Sequence, residues 1–283
     1  MYESIYKSSL FKDKVIIVTG GGSGIGRCTA HELAALGAHV IILGRTLEKL
    51  EKVAEEISSS GQLCDVYSLD IRDSIAIKKV VTNIIEKHGA IHGLVNNAGG
   101  QFPSSLENIS DKGWEAVIRN NLNGGFYMMR DVYNLAMKEH GGAIVNVVAS
   151  VAFGMPHMGH TGAARAGMIN LTQTAALEWV HSGVRVNAVA PGSVASSGME
   201  TYPEDFKKKL RQRRHQVPMK RQATESEISS AIVYLLSEGA AYITGETIAV
   251  DGGLPLAKEN WPVPEHNNSK PYNGFPLYKP PVF

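Results

Sequence analysis

Seven short runs rich in β-branched residues set the architecture: Val15–Val18, Val40–Leu43, Val66–Leu69, Gly93–Val95, Ala143–Val148, Arg185–Ala190 and Thr247–Val250. Helical patterns fall between them, at Gly26–Leu36, Leu47–Ser58, Ser74–His88, Lys112–Lys138, Ala163–His181 and Glu225–Ser237. Most of the runs are continuously apolar rather than alternating, as strands buried on both faces are. Strand–helix alternation of this kind implies right-handed crossovers and a parallel sheet covered by helices. The fold class expected is therefore α/β, a single doubly wound Rossmann domain. No internal repeat or interior linker interrupts it, so one domain is read over residues 1–253.

Two stretches depart from this rhythm. Ser193–Arg221 is too long for an ordinary connection and is expected to place a helix or two over the open end of the sheet as a substrate lid. Residues 254–283 hold seven of the twelve prolines, which exclude regular helix. That Pro-rich tail is expected to be extended, lying on its own domain, on a neighbouring subunit, or loose.

Composition narrows the function classes. With 28 basic and 27 acidic residues the formal charge is +1, so no global field draws the chain to nucleic acid or to a lipid surface. Hydrophobic residues at 43% supply a core. Two cysteines, Cys28 and Cys64, cannot make a disulfide scaffold and point to a reducing compartment, the cytoplasm. Met1–Lys14 lacks the apolar stretch of a secretory signal, no run is apolar enough to span a membrane, and Pro281-Val282-Phe283 is not a peroxisomal address. No metal ligand set is expected.

The first strand leads directly into Thr19-Gly20-Gly21-Gly22-Ser23-Gly24-Ile25-Gly26 and then a helix. Gly20 permits a tight turn, Gly24 lets backbone approach a pyrophosphate, and Gly26 allows close helix–strand packing, while free N–H groups at the helix start face the anion. At the end of the second strand, Gly44 stands where an acidic residue would accept the adenosine ribose hydroxyls, and Arg45 follows. A guanidinium that pairs with a 2′-phosphate favours NADP(H).

The T-G-x-x-x-G-x-G spacing of Thr19–Gly26 resembles the short-chain dehydrogenase/reductase family. The resemblance continues through Asn96-Asn97-Ala98-Gly99, Pro191-Gly192 and Ile243-Thr244-Gly245, and ends at Val250-Asp251-Gly252-Gly253. It implies seven strands in the order 3-2-1-4-5-6-7, with the dinucleotide across their carboxyl ends. It further implies an adenine contact at Asp70 and Ile71, a ribose wall at Asn97, Ala98 and Gly99, and a nicotinamide side at Pro191, Gly192, Val194 and Ser196. Ser23 and Ile25 complete the diphosphate turn, and a symmetric homotetramer is the implied assembly.

The reaction residues of that family are only partly present. Asn121 fits. The Tyr-x-x-x-Lys position reads Thr161-Gly162-Ala163-Ala164-Arg165, and Ser150 falls about one residue from the expected serine. Arg165 can hold nicotinamide-ribose hydroxyls but stays charged, so it cannot relay a proton as lysine does. The pattern around Val95–Phe102, His160–Gly167 and Leu177-Glu178-Trp179 resembles peroxisomal-type trans-2-enoyl-CoA reductases, relatives of 2,4-dienoyl-CoA reductases. It departs from them in carrying Ile169 where they have a tyrosine. This resemblance implies NADPH-dependent reduction of a C2=C3 double bond conjugated to a thioester.

Three side chains are candidates for the proton donor or the oxygen donor: Tyr202 in the lid, His160 and Ser150, with Tyr202 preferred as acid. The lid's Lys207, Arg211 and Arg214 share a helix face that suits the phosphates of an acyl-CoA. Two other functions remain open, an alcohol or aldehyde dehydrogenase for long-chain or terpenoid alcohols and a non-catalytic NADP(H) sensor.

Overall fold

The computed structural model describes residues 1–281 and, within them, every side chain but those of Glu200, Thr201, Leu210 and Arg211; Val282 and Phe283 lie outside the described residues. The strands are β1 Val15–Thr19, β2 His39–Gly44, β3 Cys64–Ser68, β4 Gly93–Asn96, β5 Gly142–Val147, β6 Val184–Pro191 and β7 Thr247–Val250. They form one sheet in the order β3-β2-β1-β4-β5-β6-β7, every pairing parallel. Strand order reverses between β1 and β4, which opens a crevice beyond their carboxyl ends.

Each strand feeds two cores, because successive side chains point to opposite faces. Ile16, Val18, Val40 and Ile42 pack with Leu33, Leu50, Val53, Ile228 and Ile232, which come from α1 (Gly24–Ala35), α2 (Leu47–Ser58) and α9 (Glu225–Leu236). Ile17, Ile41 and Leu43 face the other way, onto Ile77, Val81, Met128, Val132 and Met168. Those residues belong to α3 (Ser74–His88), α5 (Gly124–Val132) and α7 (Gly159–Trp179). The sheet is thus covered on both sides, as the unbroken apolar runs require.

Two helices differ from their expected form. The Lys112–Lys138 pattern is α4 (Asp111–Ile118), a π-helical turn Arg119–Asn123, α5, a second π-helical turn Tyr133–Met137, and the short α6 Lys138–His140. Each π turn inserts a residue while the chain keeps its direction, so apolar periodicity does not reveal it. Helix α7 begins at Gly159, four residues ahead of the expected Ala163, and so takes His160 and Thr161 into its first turn. The lid carries one helix, α8 (Glu204–Arg213), after a 3₁₀ turn at Ser197–Thr201. Among the described residues no helix is long and apolar enough to cross a membrane.

The tail lies on its own domain. Phe275 is fully buried against Tyr2 and Cys28, with the Arg27 guanidinium 5.0 Å from its ring centre. The Glu3 amide donates to the Gly274 carbonyl, and the Tyr278 hydroxyl to the Ala195 carbonyl, both at 2.8 Å. Arg221, at the end of the lid, bonds Glu227 and the Ser269 carbonyl.

Candidate active site

The glycine turn is fixed from below by β4. Gly20 has φ +68°, and a Cβ there would lie 2.9 Å from Asn97 Nδ2 and 3.0 Å from Ala98 Cα. A Cβ on Gly26 would run into the Gly20 carbonyl oxygen. Thr19 Oγ1 accepts from the backbone amides of Asn97 (3.0 Å) and Ala98 (2.9 Å), and Asn97 Nδ2 donates to the Thr19 carbonyl at 3.0 Å. Asn97 therefore braces the turn with its side chain.

Gly24 alone in the turn has no neighbour closer than ordinary contact. Its φ is +57°, and the nearest atoms to a Cβ placed there are Glu225 Oε1 and Ser197 Oγ, both at 3.8 Å. With Ser23 as N-cap making no side-chain cap bond and Ile25 and Gly26 opening α1, free amides surround a cradle that a dinucleotide diphosphate fits. Glu225 was not legible as a site residue. It is buried at the start of α9, and burial pushes its carboxyl up to about 7 despite Arg27 and the Ser197 backbone.

At the adenosine end, Arg45 is exposed past Gly44, and its charge acts on Asp70. Asp70 is engaged by Arg72, whose Nε approaches both carboxylate oxygens at 2.9 and 3.0 Å, and this hydrogen bonding holds its carboxyl down at about 2. Ile71 is buried under Gly124 at the start of α5, leaving its backbone for any adenine contact. On the nicotinamide side, the Gly192 amide donates to the Val250 carbonyl at 3.0 Å, Val194 bridges Ala223, and Ser196 precedes the 3₁₀ turn of the lid. Pro191 ends β6.

The reaction side is organised by one loop, residues 99–102. Gly99 meets Arg165: a Cβ there would lie 2.5 Å from Arg165 Nη2 and 2.7 Å from Asn121 Oδ1. Gly100 is held by Asn121, whose Nδ2 donates to the Gly100 carbonyl at 2.6 Å and to the Val117 carbonyl at 3.0 Å, while Oδ1 accepts from the Gly100 amide at 3.3 Å. The π turn delivers Asn121 to this position. Gln101 Nε2 donates to the Tyr202 hydroxyl at 2.6 Å, bringing the lid to the loop. Phe102 sits edge-on to His160, ring centres 4.5 Å apart. Gln101 and Phe102 carried no expected role, since neither is an acid, a base or a glycine.

Arg165 is the charge at the centre. Its Nη1 donates to the Val147 carbonyl at 2.9 Å at the end of β5, and burial, with no carboxylate to offset it, draws the guanidinium down to about 10. It remains a cation at neutral pH. Thr161, in the place of the family's phenol, is fully buried, and its hydroxyl lies 3.3 Å from His160 Nδ1. Its amide donates to that same nitrogen at 2.8 Å, which assigns the proton of neutral His160 to Nε2. Nε2 is buried without a hydrogen-bond partner among the described residues, and burial lowers the ring's proton affinity.

Tyr202 is half-buried against Phe206 (ring centres 5.1 Å), and burial raises its phenol, so it stays protonated. Ser150 lies half-buried just beyond β5. In the lid, Lys207 Nζ is 3.6 Å from Glu204, Arg214 Nε is 3.3 Å from the exposed His215, and the side chain of Arg211 is outside the described residues.

Beneath the site runs a buried polar chain that sequence patterns did not reveal. Asn96 Nδ2 donates to Asn146 Oδ1 (2.9 Å), Asn146 Nδ2 to Thr172 Oγ1 (2.8 Å), and Thr172 Oγ1 to the Met168 carbonyl (2.8 Å). It fixes β4, β5 and α7 relative to one another, pairing most of its buried polar groups and leaving Asn96 Oδ1 without a partner among the described residues.

Comparison with known proteins agrees with this geometry. A family model described as enoyl-(acyl carrier protein) reductase, of the short-chain dehydrogenase type, matches residues 20–255. A probable 2,4-dienoyl-CoA reductase of Bacillus subtilis is 35% identical over 244 residues, 85% of this chain and 96% of that protein. The 3-oxoacyl-[acyl-carrier-protein] reductase FabG of Thermotoga maritima is 36% identical, over 86% of this chain and 98% of its own. Among solved structures, the citronellol catabolism dehydrogenase AtuB of Pseudomonas aeruginosa is 55% identical with a TM-score of 0.81, covering 89% of this chain and 99% of that one.

Proposed function

The chain belongs to the short-chain dehydrogenase/reductase family of oxidoreductases, and from that premise we propose that it reduces the C2=C3 double bond of an enoyl-CoA thioester with NADPH. One observation carries the reading. The phenol of the family's proton relay is replaced by a buried threonine that faces a histidine, while a charged guanidinium takes the lysine place. Reducing a ketone needs an acid on the carbonyl oxygen itself. Reducing a conjugated thioester instead needs charge held at an oxygen that stays unprotonated, with the proton delivered to carbon.

A bound NADPH would supply the hydride to Cβ. Arg165 and the Gly99 backbone beside it would then form the cationic, dipolar wall on which negative charge at the thioester oxygen is stabilised. Ser150, beside the end of β5, is a further donor to that oxygen. Tyr202 is the proton source for Cα: its oxygen already accepts from Gln101, so its O–H is left to donate. His160, with an Nε2–H that has no partner, is the alternative donor.

NADP(H) preference is supported by exposed Arg45 beside Gly44, with no acidic residue at that strand end. The lid's cations suit a CoA phosphate, Arg214 more than Lys207, which shares its charge with Glu204. The free thiols Cys28 and Cys64 suit work in the cytoplasm, and a homotetramer is the assembly the family implies. Among the relatives, the dienoyl-CoA reductase of Bacillus subtilis supports an acyl-CoA substrate.

A second reading, dehydrogenation of a terpenoid alcohol, is favoured by the 55% identity to the citronellol catabolism dehydrogenase. The test is NADPH oxidation with crotonyl-CoA, 2-decenoyl-CoA and 2,4-decadienoyl-CoA, run beside NAD+ and NADP+ reduction with citronellol and geraniol. Turnover of the thioesters supports the first reading. Turnover of the alcohols alone replaces it with the second.

A further inference from the structure

The opposite, amino-terminal edge of the sheet carries a cluster that dinucleotide chemistry does not use. His39 opens β2, Asp65 lies in β3, and His88 closes α3. Asp65 Oδ2 is 3.3 Å from His39 Nε2 and 2.9 Å from His88 Nε2, and the three atoms lie within 4.8 Å of one another. The His39 and His88 rings meet edge to face, centres 4.5 Å apart. The His88 side chain is only 8% exposed. Both Nε2 atoms are buried and lack a well-formed hydrogen bond among the described residues, although the carboxylate lies close to each.

A small cation could occupy the space between these three atoms. With bonds of about 2.0–2.2 Å, a tetrahedral centre sets its N and O ligands about 3.3 Å apart. We propose that His39, Asp65 and His88 bind one first-row divalent cation, Zn(II) foremost, with water completing the coordination. Two neutral imidazoles and one carboxylate are a ligand set that zinc accepts. The cation already present is Lys87, whose Nζ is 2.7 Å from the same Asp65 oxygen on a side chain that is 55% exposed. It can swing into solvent as the metal takes its place. Cys64, next in sequence to Asp65, is not among the side chains whose ligand atoms converge there.

The three ligands come from separate elements, at sequence spacings of 26 and 23 residues, so no short motif announces them. Lying at the far ends of the strands from the glycine turn, the site would tie β2, β3 and α3 together rather than take part in hydride transfer.

The test is titration of EDTA-treated full-length protein with Co(II), followed by visible absorption, and then displacement by Zn(II). The expected result is one Co(II) per chain with the d–d bands of a four-coordinate centre. His39→Ala and His88→Ala should each weaken binding by about tenfold or more. Lys87→Met, which removes an exposed competitor and leaves the fold intact, should tighten it about threefold. NADPH affinity should stay constant throughout. Absence of saturable one-to-one binding, binding that survives the double histidine variant, or a Lys87→Met protein that binds no more tightly would each overturn the proposal.

Discussion

The two sides of the crevice are built on different terms. On the nucleotide side, Thr19, Asn97 and the glycines satisfy one another's polar groups through short internal contacts, and only Gly24 is left open. On the reaction side, polar capacity is left over. Among the described residues Arg165 meets a backbone acceptor but no carboxylate, and His160 Nε2 is unmatched. A pre-satisfied turn can hold the same diphosphate in many enzymes. Unspent donors and charge, by contrast, are what a substrate must complete. The chemistry of this protein is therefore expected to reside in residues 99–102, Arg165 and the lid, and to be changed there without disturbing the cofactor.

The sharpest break of that contrast is Gly26→Val. Its side chain would collide with the Gly20 carbonyl, and loss of NADPH affinity by at least about 100-fold, or failure to fold, is expected from fluorescence titration and circular dichroism. Arg165→Met should act chiefly on the other side, with a smaller loss of coenzyme affinity from its ribose contact. It should lower kcat about 100- to 1000-fold, as removal of an oxygen-stabilising donor does, while Arg165→Lys restores part of the rate. Equal losses in kcat and in NADPH affinity would merge the two sides and defeat the comparison.

Glu225 tests the boundary between them through pH. Its folded pKa, about 7, lies above the ordinary 4.5 of a glutamate. Its contribution to stability is therefore fully present below about pH 4.5 and is lost as pH rises through 7. Glu225→Gln should stabilise the protein by about 1–3 kcal/mol at pH 8 and by little at pH 5, measured as the difference between the two urea-unfolding curves. Smallest of the four is Tyr202→Phe. It should lower turnover at saturating substrate about tenfold with KM nearly unchanged, and undiminished turnover would move the proton-donor role to His160 or water.

The glycine turn of the nucleotide side is legible in the sequence. Its signals are local: glycines at fixed spacing between a strand and a helix, and Arg45 at a strand end. The sheet order came with the family resemblance rather than from periodicity. The reaction side resisted because its determinants are long-range. The π turn that aims Asn121 leaves hydrophobic spacing intact, the Gln101–Tyr202 contact joins residues 101 positions apart, and Glu225 acquires its environment only when α9 packs beside the glycine turn. Asn146 and Thr172 looked like ordinary strand and helix residues until their mutual burial gave them partners.

Phe275 has a practical consequence for anyone handling the protein. Its ring occupies a socket shared by Tyr2, Cys28 and Arg27, and Arg27 belongs to the very helix whose amides would receive a diphosphate. Tyr278, three residues on, fastens the first residues of the lid at Ala195. Clipping the chain after residue 270, or crowding Phe275 with a fused tag, should loosen grip on the coenzyme from behind, without touching a single group that meets it.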